Sequence, residues 1–426
     1  MNAAAQSLSR NIRRIGHLDI PGGGQVVADG NHVFIGHMKP PHGTTIIDVS
    51  DPKNPKIAAE IRLEDNYSHT HKVRVAGDLM ITNVEQNQRH FLRKGDRLPA
   101  LRAELQAELG RPATEDELGA KLGVEPSRIG ELDAARERGY RDGGFKVWDI
   151  SDRTKPKQIA YQRTHGFGVH RFDADANYAY ISTEMEGYIG NILVIYDLAD
   201  PANPTEVSRW HMPGQHLAVG EIPTWSGYRN RLHHAMRVGN ELWASVWHAG
   251  FRVIDIADIR NPKTVASHNY HPPFPEPTHT IMPLSRTIDG RRIAVCVDEE
   301  HDHTPGRLHA FLWVFDVTDF DNIQALSAWD LSELDSPWAR APGRFGAHQF
   351  REKFDSTLVY ATWFSGGLRV VDVADPFKPE EVAFFIPEPL GNEPSPQSND
   401  VDVDDRGIIY LLDRNRGLDI LEMTGV

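Results

Sequence analysis

The chain has 426 residues, a formal net charge of −14 and a hydrophobic content of 40%, which is enough for a substantial core. The acidic balance argues against a nucleic-acid partner, because phosphates favour a basic surface. One cysteine, Cys296, excludes an internal disulfide framework and suits a reducing compartment. The N-terminal segment lacks the apolar core of a signal peptide, and no apolar run is long enough to predict a membrane span. We therefore expect a cytoplasmic protein with no membrane or nucleic-acid partner.

The segment IRRIGHLDIP near the N-terminus, from Ile12 to Pro21, is predicted to form a β-strand that is not part of a four-stranded unit with the residues next to it. It looks like the fourth strand of the later repeats, whereas the last repeat stops at Met423 after three strands. Pairing of the two ends would complete the last unit and lock a ring.

A hydrophobic run that ends in an acidic residue recurs seven times along the chain, beginning with TTIIDVSDPKNP at Thr44 and ending with LDILEM at Leu418. The marker acids are Asp48, Asp149, Asp197, Asp255, Asp316, Asp372 and Glu422. After a first interval of 101 residues, successive markers lie 48 to 61 residues apart, the length of a four-stranded unit. Four-stranded units repeated radially form a β-propeller, which buries nearly all of its sheet edges.

These segments resemble the LVIVD repeat, a family named for the hydrophobic run before its aspartate. The resemblance covers nearly the whole chain outside one insertion. It implies a propeller fold but little about function. We therefore predict that residues 1–426 form a single all-β domain, a seven-bladed β-propeller whose N-terminal strand closes the last blade.

The long first interval contains an insertion in blade two, residues 86–143, that is rich in helix-forming residues. Thr114 and Pro126 lie where helices should begin, and Gly110 and Gly123 lie where they should end. Part of the insertion, ELGRPATEDELGAKLGVEPSRIGEL, resembles the helix-turn-helix portion of bacterial sigma factors. The insertion carries eleven basic and eleven acidic residues, whereas a DNA-reading module should be basic. We expect a helical lid or a contact between the copies of a homo-oligomer.

Histidines recur at one position in the first strand of five repeats. They are His71, His170, His234, His279 and His348, with Asn399 in blade seven and Gly24 in blade one. Since the innermost strands of a propeller line its channel, five imidazoles should converge near the axis at one mouth. A structural hydrogen-bond network of repeated histidines is one alternative, and a metal-free catalytic site is another.

Three glutamates are predicted at the ends of second strands beside the same mouth: Glu85, Glu184 and Glu299. Histidine ligands usually donate their second ring N–H to a carboxylate, so these acids are expected to orient the ligands of a mononuclear metal centre. Imidazole-rich coordination suits Zn, Cu, Fe or Ni and disfavours Mg and Ca. The architecture is similar to the iron site of carotenoid-cleaving oxygenases. We favour Fe, with Cu, Mn or Zn as alternatives.

Further histidines, among them His69 and His233, lie in or near loops at this mouth. His301 and His303 are candidates for proton transfer, because imidazole titrates near neutrality. The alternative is that each is a solvated loop histidine.

The sequence contains no GxSxG nucleophile elbow and no GxxxxGK[ST] phosphate loop. We predict a metal-dependent enzyme, an oxidoreductase or oxygenase that acts on a small organic substrate. The alternatives are a metal-dependent hydrolase or lyase that uses a metal-activated water, and a non-catalytic interaction propeller with structural histidines.

Overall fold

A computed structural model describes residues 6–301 and 303–425. Two strands precede the first complete sheet, β1 (Leu8–Arg10) and β2 (Ile12–Pro21). That sheet contains β3 (Gly23–Asp29), β4 (His32–His37), β5 (His42–Asp48) and β6 (Lys56–Arg62). The next sheet joins two four-stranded groups through β9 and β12. It contains β7 (Ser68–His69), β8 (Val73–Ala76), β9 (Leu79–Gln86), β10 (Gly144–Asp149), β11 (Lys157–Arg163), β12 (His165–Ala174), β13 (Tyr178–Glu184), β14 (Ile192–Asp197) and β15 (Thr205–Trp210).

The remaining sheets follow in chain order. The first contains β16 (His234–Val238), β17 (Glu241–Ser245), β18 (Phe251–Asp255) and β19 (Lys263–His268). The second contains β20 (Thr278–Pro283), β21 (Ile293–Asp298), β22 (Leu312–Asp316) and β23 (Gln324–Trp329). The third contains β24 (Ala347–Phe350), β25 (Leu358–Trp363), β26 (Gly367–Asp372) and β27 (Glu380–Ile386), and the last β28 (Ser398–Val403), β29 (Ile409–Asp413) and β30 (Arg416–Met423).

The sheets meet through their first strands. β3 contacts β8, and the contacts continue through β12, β16, β20, β24 and β28, which returns to β3. Apolar clusters lie between neighbouring sheets: Leu193 and Ile195 of β14, for example, pack in one buried cluster with Leu242 and Ala244 of β17. The predicted all-β, propeller-like fold is confirmed, and its core is divided among the interfaces between sheets.

The repeated aspartate ends the third strand of its sheet. The carboxylates of Asp48, Asp197 and Asp372 each accept a hydrogen bond from the backbone N–H two residues later, at 2.8, 2.7 and 2.9 Å. This local hydrogen bond favours a turn over a longer strand, which explains why aspartate recurs there. Glu422 lies within β30 and pairs with Arg13 of β2 instead.

The two ends of the chain meet in one sheet. β2 pairs antiparallel with β30, from Ile12 opposite Met423 to Pro21 opposite Arg416, so the predicted pairing of the ends is present. β1 adds a further strand that the repeat pattern does not predict, pairing with β27 of the neighbouring sheet. The N-terminal segment therefore covers the outer edges of two sheets.

The segment between β9 and β10 is helical, with α1 (Arg89–Leu92), α2 (Leu98–Leu109), α3 (Glu115–Leu122) and α4 (Ile129–Arg138). Thr114 forms a capping box with Glu117 at the start of α3, and α2 and α3 end at Gly110 and Gly123 with φ of 68° and 60°. The helices bury a small apolar cluster of their own, which includes Leu101 and Leu132. None of the described helices is long and apolar enough to cross a membrane.

Candidate metal centre

A bulge recurs in the first strands and aims one residue out of each ladder. The pairing of β12 with β13 skips His170, that of β20 with β21 skips His279, and that of β24 with β25 skips His348. The same irregularity occurs at Gly24 and Asn399, in the two sheets that have no histidine there. A bulged residue stands outside the hydrogen-bond ladder, and its side chain is re-aimed. The repeat therefore presents equivalent side chains toward one mouth.

In β16 the strand register puts His233, and not the predicted His234, at the position equivalent to the bulged histidines. His234 lies opposite Ser245, just as Gln349, the residue after the bulge, lies opposite Thr362 in the β24–β25 pair. A one-residue slip in a strand turns the side chain to the other face, and the sequence HHAMRV allows either alignment. The Nε2 atom of His234 consequently lies 3.3 Å from Glu352, and its Nδ1 lies 2.9 Å from Nδ1 of His233.

Six imidazoles form a continuous arc around one cavity of about 390 Å³, which we call the histidine cavity. Neighbouring ring centroids are 4.1 to 5.3 Å apart along the series His69, His71, His170, His233, His279 and His348. Burial lowers the pKa of the last five well below its ordinary value, so these rings are neutral, the form in which imidazole binds metals. The repeat alignment does not identify His69 and His233 as members of this arc, because neither residue occupies the aligned position of the repeat.

Hydrogen bonds determine which nitrogen of His279 carries the proton. The Thr280 hydroxyl donates to Gln349 Oε1 at 2.9 Å, so its oxygen accepts from His279 Nδ1 at 2.8 Å. The proton of neutral His279 is therefore on Nδ1. Its unprotonated Nε2 lies 3.9 Å from Glu299 Oε2.

His233 and His348 have the same proton arrangement as His279. The Nδ1 of His233 donates to the backbone carbonyl of His279 at 3.0 Å, and the Nδ1 of His348 donates to the carbonyl of Asn399. The Nε2 of His348 lies 3.8 Å from Glu299 Oε1. Ligand atoms of His233, His279 and Glu299 all lie within 4.8 Å of one another, close enough to hold one ion. Carbonyl acceptors at Nδ1 are a usual device for directing Nε2 at a metal.

Glu85 occupies the other half of the arc. Its Oε2 lies 2.9 Å from His69 Nε2 and 3.1 Å from His170 Nδ1, while its Oε1 pairs with Arg89 at 2.7 Å. The contact with His170 is a carboxylate–imidazole pair in which the acid can orient the ring, and it joins Glu85 to the histidine of the next sheet. The ligand atoms of His69, His71 and Glu85 also lie within 4.8 Å of one another, so a second group could hold a metal ion.

His71 differs from His279 in its proton position. Asn83 Oδ1 accepts from the Lys72 backbone N–H at 2.8 Å, so its amide nitrogen donates to His71 Nδ1 at 3.2 Å. Neutral His71 therefore carries its proton on Nε2, which lies 3.9 Å from Glu85 Oε2. The protonated Nε2 lies beyond hydrogen-bond distance of Glu85 and has no free lone pair, so this ring is less suited to bind an ion than His279.

The predicted role of Glu184 does not fit its surroundings. Its Oε1 pairs with Arg93 of the helical segment, and its Oε2 accepts the backbone N–H of Phe167 at 3.1 Å. The Arg93 guanidinium also stacks over Tyr228 at 3.7 Å. Arg93 comes from the helical segment, so the spacing of the repeats could not predict it. It pairs with Glu184 where a histidine was expected.

The two proton-transfer candidates lie in different places. His301 Nε2 is 3.1 Å from Glu299 Oε2, and both side chains line the histidine cavity. His303 instead contacts Glu300 Oε1 at 2.8 Å, beside His309, in a separate His/Glu group. Burial opposes protonation of His309, but Glu300 and Glu333 outweigh it and raise the pKa of His309 to about 9. This second group behaves as an ion-pair cluster, so of these two candidates His301 is the one that lines the cavity.

Comparison with known proteins agrees with this fold. The LVIVD repeat model matches residues 24–61 and 174–211. No curated protein matches the sequence. Among solved structures, the WD40 β-propeller domain of Doa1 is similar, with 7% identity, a TM-score of 0.54 and 96% of each chain covered. A chain in the crystal structure of the mitotic checkpoint complex has 9% identity and a TM-score of 0.54, and the match covers 99% of this chain and 96% of that one. At such identities the likeness shows the fold alone. Two segments of the chain therefore match the LVIVD repeat, and the chain has a propeller-like fold that carries His/Glu groups able to hold a metal ion.

Proposed function

We propose that this protein is a metal-dependent oxidoreductase that binds one transition-metal ion in the histidine cavity and acts on a small organic substrate. The observation that carries the proposal is a set of three neutral imidazoles at the buried Glu299. The unprotonated Nε2 atoms of His279 and His348 lie 3.9 and 3.8 Å from its carboxylate, and a ring nitrogen of His233 lies within 4.8 Å of the ligand atoms of His279 and Glu299. Arg344 already pairs with Glu299 at 2.8 Å, but unprotonated imidazole nitrogens beside a carboxylate are an arrangement that a metal cation stabilises further. In this proposal the sheets are the seven blades of one domain spanning residues 1–426, with residues 86–143 as an insertion in blade two.

The proposal gives each group a distinct task. His233, His279, His348 and Glu299 would hold the ion, and His170, oriented by Glu85, would lie beside it as a further imidazole. Fe is favoured and Cu, Mn or Zn are alternatives, because imidazole and carboxylate donors accept all four. A redox-active ion would supply the electron-transfer chemistry when bound.

Access to the ion would be controlled from the helical segment. Arg89, His90 and Phe91 of α1 line the histidine cavity, so this segment would act as a lid that limits water in the site. His301, 3.1 Å from Glu299, would move a proton to or from a bound substrate.

Two other functions have an observation in their favour. The Glu299–His301 pair beside the proposed ion could accept a proton from a metal-bound water, which favours a hydrolase or lyase. The hydrogen bonds of Glu85 to His69 and His170 need no ion, which favours a structural network in a non-catalytic interaction propeller.

Elemental analysis of the untagged protein separates these functions. A redox-active metal at about one equivalent supports the oxidoreductase, and zinc at that level supports the hydrolase or lyase. Less than about a tenth of an equivalent of any transition metal would leave the structural network as the better account.

Two adjacent histidines provide a matched test of the ligand set. His233→Ala should lose most of the bound metal, because it removes an imidazole donor from the group around Glu299. His234→Ala should lose much less metal, because His234 contacts Glu352 and Nδ1 of His233 but does not line the cavity. Metal content and circular dichroism are measured on both variants. Equal metal loss in the two would contradict the ligand assignment.

A further inference from the structure

The arc of imidazoles is open where two sheets have no histidine. Gly24 and Asn399 occupy the bulged position there, and Arg414, just after β29, lines the same cavity. Arg414 Nη1 donates to Asn399 Oδ1 at 3.0 Å, and Asn399 Nδ2 donates to the Gly24 carbonyl at 2.9 Å. Asn399, itself held by Gly24, therefore fixes one side of the Arg414 guanidinium at the gap in the arc of histidines.

Positive charge exceeds negative charge in the lining of the cavity. The cations are Lys39, Arg89, Arg344 and Arg414, and the carboxylates are Glu85 and Glu299. Lys72 also lines the cavity but is left out of this comparison, because burial lowers its pKa well below the ordinary value. Arg89 pairs with Glu85 at 2.7 Å, and Arg344 pairs with Glu299 at 2.8 Å. Both carboxylates are thereby matched by an arginine, although the protein as a whole has a net charge of −14.

Arg414 remains without a carboxylate partner among the described residues. The adjacent Asp413 accepts backbone N–H groups of Gln397 and Asn415 instead. Burial and the nearby Arg344 lower the pKa of Arg414 to about 10, so its guanidinium is still charged near neutral pH. A partly buried, charged guanidinium whose side-chain partner among the described residues is a neutral amide has unused capacity to bind an anion.

We propose that Arg414 binds an anionic group of the substrate, a carboxylate or a phosphate, and holds it at the gap in the histidine arc. The planar guanidinium offers parallel N–H donors that match the two oxygens of such a group. A cavity of about 390 Å³ accommodates a small organic acid or phosphate ester. The inference rests on the proposed function, since it names the substrate class for the same cavity.

The test uses the full-length protein as purified, with its metal content measured on every sample. Propionate and inorganic phosphate are titrated by calorimetry, and propionamide serves as the uncharged counterpart of propionate. We expect one of the two anions to bind at least about tenfold more tightly than propionamide, and Arg414→Gln to lose that advantage. Glutamine can still donate a hydrogen bond to Asn399, so the local fold should survive. Whichever anion binds identifies the group as a carboxylate or a phosphate.

Arg416→Gln is the matched control, because Arg416 lies two residues away and pairs with Asp19 at the exposed surface. It should bind the anion like the wild type. Anion binding that is equal in wild type and Arg414→Gln, or no preference for either anion over propionamide, would overturn the proposal. If Arg414→Gln does not fold, Arg414→Lys replaces it, since lysine lacks the parallel donors. We then expect at least about fivefold weaker binding, and unchanged affinity would overturn the proposal.

Metal content separates this inference from the proposed function. Arg414-dependent anion binding in a protein without metal would support the anion site and contradict the metal centre. Stoichiometric metal without Arg414-dependent anion binding would contradict the anion site alone.

Discussion

His71 and His279 occupy equivalent positions in their sheets, yet their neighbours give the two rings different proton positions. The Asn83 amide donates to Nδ1 of His71, whereas Nδ1 of His279 donates to the Thr280 hydroxyl. Only the second arrangement leaves Nε2 unprotonated toward the cavity. The identity of a residue in a repeat therefore does not by itself determine its chemistry.

The orienting role of Glu85 makes a quantitative prediction. Glu85→Gln should weaken metal affinity by about 10–100-fold, because an amide cannot accept the hydrogen bonds of His69 and His170 as a carboxylate does. Glu184→Gln is the matched control and should leave metal affinity unchanged, because Glu184 pairs with Arg93. Competition with a metal-binding dye measures both affinities. A larger loss in the Glu184 variant would contradict the assignment of these two acids.

At the scale of elements, the N-terminal segment covers edges that would otherwise be exposed. β2 adds the fourth strand beside β30, and β1 extends the neighbouring sheet at β27. An uncovered strand edge presents unpaired N–H and C=O groups and promotes aggregation. We therefore expect β1 and β2 each to stabilise the sheet whose edge it covers.

Two truncations test this contribution. Deletion through Pro21 removes β1 and β2, and it should lower the melting temperature markedly or cause aggregation, because β30 loses its partner. Deletion through Arg10 removes β1 alone and should have a smaller effect. Thermal unfolding followed by circular dichroism compares the two with the full chain. Unfolding of the longer deletion at the temperature of the wild type would contradict the role of β2.

The helical segment combines an apolar cluster of its own with a contribution to the cavity. Leu101 and Leu132 pack within the segment, whereas Arg89 reaches Glu85 in the histidine cavity. The segment can therefore be removed without opening the cores between sheets, but not without changing the mouth of the cavity.

Replacement of Gln88 to Arg141 by a short Gly/Ser linker should leave the β-sheet signal in circular dichroism intact. It should alter activity or oligomeric state, because it removes α1 from the cavity. Arg89→Gln is the control that separates loss of one ion pair from loss of the lid. Collapse of the sheet signal in the replacement variant would show that the segment belongs to the core.

At the scale of the whole molecule, the cavity collects side chains from sheets that are distant in sequence. His71, Glu299 and His348 come from three sheets, and each reaches the cavity only when its sheet occupies its place in the circle of first strands. An ion held by several sheets would connect them. Metal binding and global unfolding should therefore be linked.

Removal of the metal by a chelator should lower the melting temperature of the wild type. An ion present at 100 times its dissociation constant contributes about 2.7 kcal/mol to the free energy of unfolding. His233→Ala should show no such shift, because its site is already incomplete. Scanning calorimetry with and without chelator measures both proteins, and an equal shift in the two would contradict a metal held by His233.

Much of the fold could be predicted from the sequence because it depends on local patterns. Runs of β-branched residues, the aspartate after each third strand, the helix caps at Thr114 and Gly123 and the strand-like segment from Ile12 are signals carried by neighbouring residues. The convergence of histidines followed from their repeat spacing.

The tertiary structure decided which residues face the cavity, because that depends on strand register and on partners from distant segments. The bulge register selected His233 over His234, the insertion supplied Arg93 to Glu184, and the gap in the arc positioned Arg414. Side-chain direction changes with a single residue of register, and no local pattern in HHAMRV encodes that register.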